Sequence, residues 1–260
     1  MADGAESLRV VGVSKRFGGI SALRDVSFAA ESGQVTAVIG PNGAGKTTLF
    51  NVVAGAYPAT SGSVLLRGRS LNGLSAHARA ALGVARTFQN VRLFGDMTAL
   101  DNVLVGRHTS GRAGFVDSSL RLPWARREEE ASTLEAYRYL NLVGIGHLAG
   151  RRASALPFGQ QRLLAIARCL AATPAVLLLD EPGAGLNALE TGALGDLILT
   201  VAERGVAVVL VEHDMNLVMR VAGKVVVLDY GERIAEGTPS QVQRDPKVIA
   251  AYLGEEVPSA

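Results

Sequence analysis

Short apolar runs alternate with glycine turns along this 260-residue chain. The runs at 35–39 and 175–179 are apolar at almost every position, which predicts strands buried on both faces of a parallel sheet. A hairpin is predicted with strands at 224–228 and 232–235, turning at Asp229-Tyr-Gly231. Further strands are predicted at 8–13, 26–30, 63–66, 83–86 and 206–211.

Helices are predicted between these strands. The pattern favours helices at 47–54, 75–82, 160–172, 188–203 and 246–253. The stretch from about 91 to 155 differs, because it is rich in helix formers and Thr98 with Asp101 resembles a helix-start box. We therefore expect an α/β core at 1–90 and 156–237, an inserted helical subdomain at 91–155 and a C-terminal helical tail at 238–260.

Composition narrows the functional classes. Hydrophobic residues make up 48% of the chain and charged residues 19%, so we expect a globular protein with a core. The net charge of +2 gives no sign of the strongly basic surface that nucleic-acid-binding proteins carry. The single cysteine, Cys169, excludes an internal disulfide and is expected to be a small core residue. The sequence shows no signal peptide and no apolar run long enough to span a bilayer, so we expect a soluble cytoplasmic protein.

One glycine-rich run carries the strongest chemical signal. It lies between the predicted strand at 35–39 and the predicted helix at 47–54, and its spacing fits G-x-x-x-x-G-K-[ST]. Such a strand, glycine turn and helix start present backbone N–H groups and a helix dipole to a phosphate. We expect Lys46 to reach the β- and γ-phosphates and the Thr47 hydroxyl to hold Mg²⁺. The predicted ATP-binding residues are Gly40, Pro41, Asn42, Gly43, Ala44, Gly45, Lys46, Thr47 and Thr48.

Polar residues follow two other predicted strands. Asp180 and Glu181 come directly after the run at 175–179, where α/β sheets bind ligands at the carboxyl ends of their strands. The Asp180 carboxylate could hold Mg²⁺ through a water molecule, and Glu181 could polarise an attacking water as a general base. His213 ends the next strand and could contact a γ-phosphate or hold Glu181 in place. Gln89 follows the strand at 83–86 and could ligate Mg²⁺ through its amide.

A second helix start could bind an anion. The segment Leu156-Pro-Phe-Gly159-Gln160-Gln161-Arg162 opens the helix predicted at 160–172. Its first N–H groups lack acceptors within the helix, so either an anion site or an ordinary helix cap fits this pattern.

Five elements occur along the chain in the order phosphate loop, Gln89, the helix start at 156–162, the Asp180–Glu181 pair and His213. ATP-binding cassette ATPases have a phosphate loop, glutamine loop, signature, Asp-Glu strand and switch histidine in this same order, and the chain resembles that family over nearly its whole length. The resemblance implies a RecA-like phosphate-loop NTPase core with an N-terminal antiparallel β region. It also implies two cassettes that sandwich two ATP molecules, each phosphate loop facing the partner's signature. The implied roles are adenine stacking by Phe17, Mg²⁺ binding by Thr47, Gln89 and Asp180, catalysis by Glu181 and His213, and contact with the partner's ATP by Pro157, Phe158, Gly159 and Gln160.

Finer features resemble the ATPase subunits of branched-chain amino-acid importers. They are the segments 86–94, 159–162, 185–187 and 212–215 and the tail Ala251-Tyr-Leu-Gly254-Glu. The resemblance implies transmembrane permease partners, a second cassette that is a copy or a paralogue, indirectly a solute-binding protein, and a peripheral place on the cytoplasmic face of the inner membrane. We expect no nucleic-acid partner.

Two departures from the family pattern affect the expected contacts. Pro157 and Phe158 replace the serine and first glycine of Leu-Ser-Gly-Gly-Gln, so the serine contact with the partner's γ-phosphate is absent. Asn187 replaces the aspartate that usually ends the loop after Glu181, which keeps hydrogen bonding and loses a charge. Urea, an amide or another small polar solute stays open as the cargo, as do a soluble cassette acting on ribosomes or DNA and an ATP-binding module without turnover.

Overall fold

The computed structural model describes residues 6–87, 92–108 and 123–253. The chain divides into two compact units, one made of Met1–Arg79 with Leu178–Ala260 and the other of Ala80–Leu177. The first unit is therefore built from two separate stretches of sequence, and the second is inserted between them.

The described strands and helices follow one another along the chain. The strands are β1 (Glu6–Phe17), β2 (Ile20–Glu31), β3 (Val35–Ile39), β4 (Ser61–Leu66), β5 (Arg69–Ser70), β6 (Val84–Arg86), β7 (Val176–Asp180), β8 (Ala207–Val211), β9 (Lys224–Asp229) and β10 (Glu232–Gly237). The helices are α1 (Lys46–Ala54), α2 (Ala76–Ala81), α3 (Ala99–His108), α4 (Pro123–Leu142), α5 (Phe158–Ala171), α6 (Ala188–Glu203), α7 (Met215–Val221), α8 (Pro239–Val242) and α9 (Pro246–Leu253).

The first unit contains two sheets. An antiparallel sheet has the strand order β2-β1-β4-β5, as the expected N-terminal β region requires. In the other sheet the strands of this unit run β10-β9-β3-β8-β7. There β3 pairs in parallel with β8 and β9, whereas β10 pairs antiparallel with β9.

The core of this unit lies around the parallel strands. All five residues of β3, β7 and β8 are buried, because each strand is covered on both faces. One cluster brings the end of β3 together with α7, β9, α8 and α9, through Ala37, Ile39, Val218, Val225, Val227, Val242 and Val248. Burial of these apolar side chains stabilises the packing of α7, α8 and α9 against β3 and β9.

The second unit is mainly helical. Helix α3 packs against α4 and α5, and the unit also holds β6 and the first residues of β7. The buried Asn102 donates its amide to the carbonyls of Phe94 and Thr98 and accepts the Phe94 N–H, which fixes the start of α3. Thr98 and Asp101 exchange hydrogen bonds as the predicted helix-start box requires.

The structure confirms the predicted strand and helix types and extends several of them. Strands β1 and β2 are twelve residues each, which is longer than predicted. Register shifts between them break the strict alternation of buried and exposed positions that marks a strand in a sequence. Helix α7 was not predicted. It is short, and its N-cap is Asp214, whose carboxylate accepts the N–H groups of Asn216 and Leu217. In the described ranges, every helix is too short or too polar to cross a membrane.

Candidate functional site

The phosphate loop joins β3 to α1 as the spacing predicted. Gly40 has φ of +148°, and a Cβ there would lie 2.0 Å from the carbonyl oxygen of Leu228. Gly45 has φ of +100° and caps α1, and a Cβ there would lie 2.7 Å from the Ala22 carbonyl oxygen. Only glycine fits these two positions, since both the backbone conformation and the space exclude a side chain. The loop thus passes close to β9 and β2 and is held in shape.

Lys46 is the first residue of α1 and is only 6% exposed. Its Nζ donates to the carbonyl oxygens of Gly40 at 2.6 Å and Pro41 at 2.9 Å, so the amine turns back over its own loop. Burial lowers the pKa of Lys46, while the nearby carboxylates of Glu181 and Asp180 act in the opposite direction. The cation therefore lies in a partly desolvated position beside both acids.

Asp180 and Glu181 lie where β7 ends. Asp180 is buried and 5% exposed, and Glu181 follows it in the left-handed region with φ of +47°. The Glu181 N–H donates to the carbonyl of Val211 at 2.9 Å, which ties the end of β7 to the end of β8. A left-handed conformation at a non-glycine residue costs about 1–2 kcal/mol and persists only where surrounding contacts enforce it.

His213 meets Glu181 at this edge. His213 Nε2 and Glu181 Oε1 are 2.8 Å apart, although the residues are 32 positions apart in the sequence. An ionised carboxylate can only accept, so in this pair Nε2–H donates to the glutamate. The Glu181 side chain is 18% exposed and that of His213 is 48% exposed, which leaves the pair open to water. The structure thus brings together three of the predicted groups: Lys46, the Asp180–Glu181 pair and His213.

The donor set suits Mg²⁺ that is bound partly by a nucleotide. Thr47 offers an exposed hydroxyl in the first turn of α1, and Asp180 offers a carboxylate. Across the described residues, no group of three or more His, Cys, Asp or Glu side chains could enclose a metal on its own. In phosphoryl-transfer sites, Mg²⁺ usually has few protein ligands, and phosphates and water supply the others. Gln89, the third predicted ligand, lies outside the described residues.

Phe17 ends β1 and is 44% exposed. Its ring packs edge-on against Tyr57, with centroids 5.3 Å apart and planes at 82°. The Nζ of Lys15 lies 4.9 Å from the Phe17 centroid and donates to the Pro58 carbonyl. The Tyr57 contact could not be predicted, because Tyr57 lies far from Phe17 along the chain. An aromatic ring that is 44% exposed can still be reached by a planar base.

The segment Pro157–Gln160 belongs to the second unit and starts α5. Pro157 is the helix N-cap, and Phe158 is 54% exposed under the guanidinium of Arg162 at 4.6 Å. The helix begins two residues earlier than predicted, so Gly159 and Gln160 lie in its first turn. Their N–H groups have no acceptor within the helix, as an anion site needs.

Asn187 occupies a helix cap in the first unit. Its side chain accepts the Glu190 N–H at 3.0 Å, and the Glu190 carboxylate accepts the Asn187 N–H at 2.9 Å. The residue that departs from the family pattern therefore stabilises the start of α6 as a capping box. Cys169 is buried in α5, as predicted, and its thiol donates to the Arg86 carbonyl.

Glu212 had no predicted role. It follows the buried strand β8 and is only 4% exposed, yet it carries a carboxylate. A charged residue directly after a wholly apolar strand is the signal that could have found it, since a buried carboxylate requires hydrogen-bond donors.

Comparison with known families gives two matches. Residues 23–184 match the family described as ABC transporter, and residues 232–258 match the family described as branched-chain amino acid ATP-binding cassette transporter. The second match covers β10, α8 and α9, the region that lies beyond the phosphate and carboxylate motifs.

Individual proteins are similar along nearly the whole chain. The high-affinity branched-chain amino acid transport ATP-binding protein BraF of Pseudomonas aeruginosa is 46% identical over 249 residues, which cover 95% of this chain and 98% of the relative. The crystal structure of the ADP conformation of an ATP-binding cassette of an ABC transporter is 33% identical, with a TM-score of 0.83 over 96% of this chain and 99% of that one. The dimeric structure of a bacterial ABC transporter cassette is 26% identical, with a TM-score of 0.75 over 89% and 98%.

Proposed function

This chain belongs to the ABC transporter family, and we propose that it is the ATP-hydrolysing subunit of an importer for branched-chain amino acids. The observation that carries the chemistry is the Glu181–His213 pair at 2.8 Å, next to the buried Lys46 at the start of α1. The cargo assignment is supported by the 46% identity to BraF and by the family match over residues 232–258.

Different residues bind the nucleotide, its phosphates and the metal ion in this proposal. The N–H groups at the start of α1 and the Lys46 ammonium bind the β- and γ-phosphates, once the amine leaves the carbonyls of Gly40 and Pro41. Thr47, Asp180 and Gln89 would hold Mg²⁺, which when bound offsets phosphate charge. Phe17 stacks on adenine.

Glu181 acts as the base for the attacking water. It takes a proton from water as the water oxygen bonds to the γ-phosphorus and the bond to the ADP oxygen breaks. His213 donates to the Glu181 carboxylate and keeps it aimed, and its 48% exposed side chain is free to contact the γ-phosphate as well. The strained backbone of Glu181 is held by its N–H bond to Val211, so the carboxylate is oriented before ATP arrives.

The proposed assembly rests on the signature residues and on the similarity to a dimeric cassette structure. Pro157, Phe158, Gly159 and Gln160 start α5 in the second unit, and we propose that they face the ATP bound by a second cassette. That cassette is either a copy of this chain or a paralogue. Transmembrane permease subunits hold the pair at the cytoplasmic face of the inner membrane, and a solute-binding protein delivers the amino acid to the permease.

Replacing Glu181 by Gln tests the catalytic part of this proposal. The amide keeps the shape and still binds His213, but it cannot accept the proton, so we expect ATP binding to persist and turnover to fall about 10²–10⁴-fold. The measurement is phosphate release by the purified chain beside its partners. Turnover equal to that of the parent, with any paralogous cassette inactivated, would remove Glu181 from this role.

Uptake by the same variant tests the cargo. Cells that carry Glu181→Gln in place of the parent chain should lose uptake of labelled leucine and keep uptake of urea. Normal leucine uptake with lost urea uptake would favour the small polar solutes, and normal uptake of both would contradict the transport role.

A further inference from the structure

Glu212 is a buried carboxylate whose contacts lie inside the candidate site. It follows β8 directly and precedes His213, and only 4% of it is exposed. Removing a carboxylate from water is costly unless hydrogen-bond donors surround it, so its position depends on the groups that it meets.

Those groups are backbone N–H donors from two different segments. Oε1 of Glu212 accepts the N–H of Gly183 at 2.6 Å. Oε2 accepts the N–H of His213 at 3.0 Å and that of Asp214 at 3.4 Å. One side chain thus connects the loop that follows Glu181 to the backbone that carries His213.

Gly183 is suited to this close approach. A Cβ at Gly183 would lie 2.8 Å from Glu212 Oε1, so any larger residue would push the carboxylate away. The loop is also held by the bond from the Glu181 N–H to the Val211 carbonyl at 2.9 Å. Two attachments, one on each side of Pro182, therefore tie the loop to the end of β8.

We propose that Glu212 is a positioning residue for ATP hydrolysis, which fixes the backbones of Glu181 and His213 relative to each other. It touches neither water nor phosphate in this role. It acts by keeping His213 Nε2 and Glu181 Oε1 at hydrogen-bond distance, so that the base meets the attacking water in a productive direction. This inference rests on the proposed function, since it concerns the same reaction.

The test compares Glu212→Ala and Glu212→Gln in the full chain with the parent. Alanine removes both arms of the link, whereas the glutamine oxygen can accept from one segment only. We expect kcat for ATP hydrolysis to fall roughly 10- to 100-fold in Glu212→Ala and less in Glu212→Gln, because small displacements of a reacting group have effects of that size. The Kd for ATP should stay within about twofold, since Lys46, Thr47 and Phe17 keep their contacts.

Asp101→Ala serves as the matched control. It also removes a carboxylate that accepts a backbone N–H and a hydroxyl, but at the start of α3 in the other unit. Its kcat should equal that of the parent. Each assay is run well below the melting temperature of the variant, and the Glu212→Gln variant keeps the test open should Glu212→Ala not fold.

The outcomes separate this inference from the proposed function. A kcat that is unchanged in both Glu212 variants would overturn the positioning role while parent turnover and the Glu181→Gln result stand. A kcat that falls equally in Asp101→Ala, or an ATP Kd that rises as kcat falls, would also overturn it. A parent chain without turnover, even beside its partners, would overturn both.

Discussion

Replacing Lys46 by Ala should weaken ATP binding without unfolding the chain. Lys46 is 6% exposed, and its Nζ already lies within 2.6 and 2.9 Å of two loop carbonyl oxygens, so the amine is near where a phosphate would lie. A hydrogen bond to a charged group contributes about 1.5–3 kcal/mol. That range corresponds to a Kd about 10- to 150-fold higher.

The upper part of this range is expected because the site is partly desolvated. Burial lowers the pKa of Lys46, which is the sign of an environment where a charge interacts strongly with its neighbours. Without the ammonium, the carboxylates of Asp180 and Glu181 would also repel the incoming phosphates.

Calorimetric titration with ATP measures the effect. A Glu181→Gln background prevents turnover during the titration, and Lys46→Ala is introduced into that background. Lys224→Ala is the matched control, because its Nζ also donates to a backbone carbonyl, that of Ala29, and lies 3.6 Å from Glu236. The control should bind ATP like its parent. Equal Kd values for Lys46→Ala and parent, or an equal loss in Lys224→Ala, would refute the assignment of Lys46.

Two further predictions concern the stacking of Phe17 on adenine and the buried thiol of Cys169. Phe17→Ala should weaken ATP binding by about 1–3 kcal/mol, the usual value of base–aromatic stacking, while Phe17→Tyr should bind nearly as the parent does; equal binding by Phe17→Ala in the same titration would argue against stacking. Burial raises the pKa of Cys169 from 9.0 to about 11, so the thiol of the unfolded chain ionises at lower pH than that of the folded chain. The stability that the neutral thiol contributes is therefore present below pH 9 and is lost as the pH rises toward 11. Between pH 9 and pH 11, the free energy of unfolding measured in urea should therefore fall about 2 kcal/mol more in the parent than in Cys169→Ala, and parallel losses would contradict this.

The sequence alone determined the features whose chemistry lies within one short stretch. The spacing of Gly40 to Thr48 requires a strand, a tight glycine turn and a helix start, and all of these depend on neighbours along the chain. The same holds for the buried strands β3, β7 and β8, whose mainly apolar runs are stable only between two covered faces. The type of fold and the proposal for the phosphate-binding residues followed from these local patterns.

Only the tertiary structure decided which polar groups meet. Glu181 and His213 end different strands, and their 2.8 Å contact depends on the level at which packing stops β7 and β8. The sequence marks Glu212 as a charged residue after an apolar strand, but it does not show the link proposed for its side chain. The His213 and Asp214 donors are its neighbours along the chain, whereas the Gly183 donor reaches it only when the ends of β7 and β8 lie side by side. A local motif fixes which groups are available, but distances between separate segments are set by the register of the sheet and by the packing of the core beneath it.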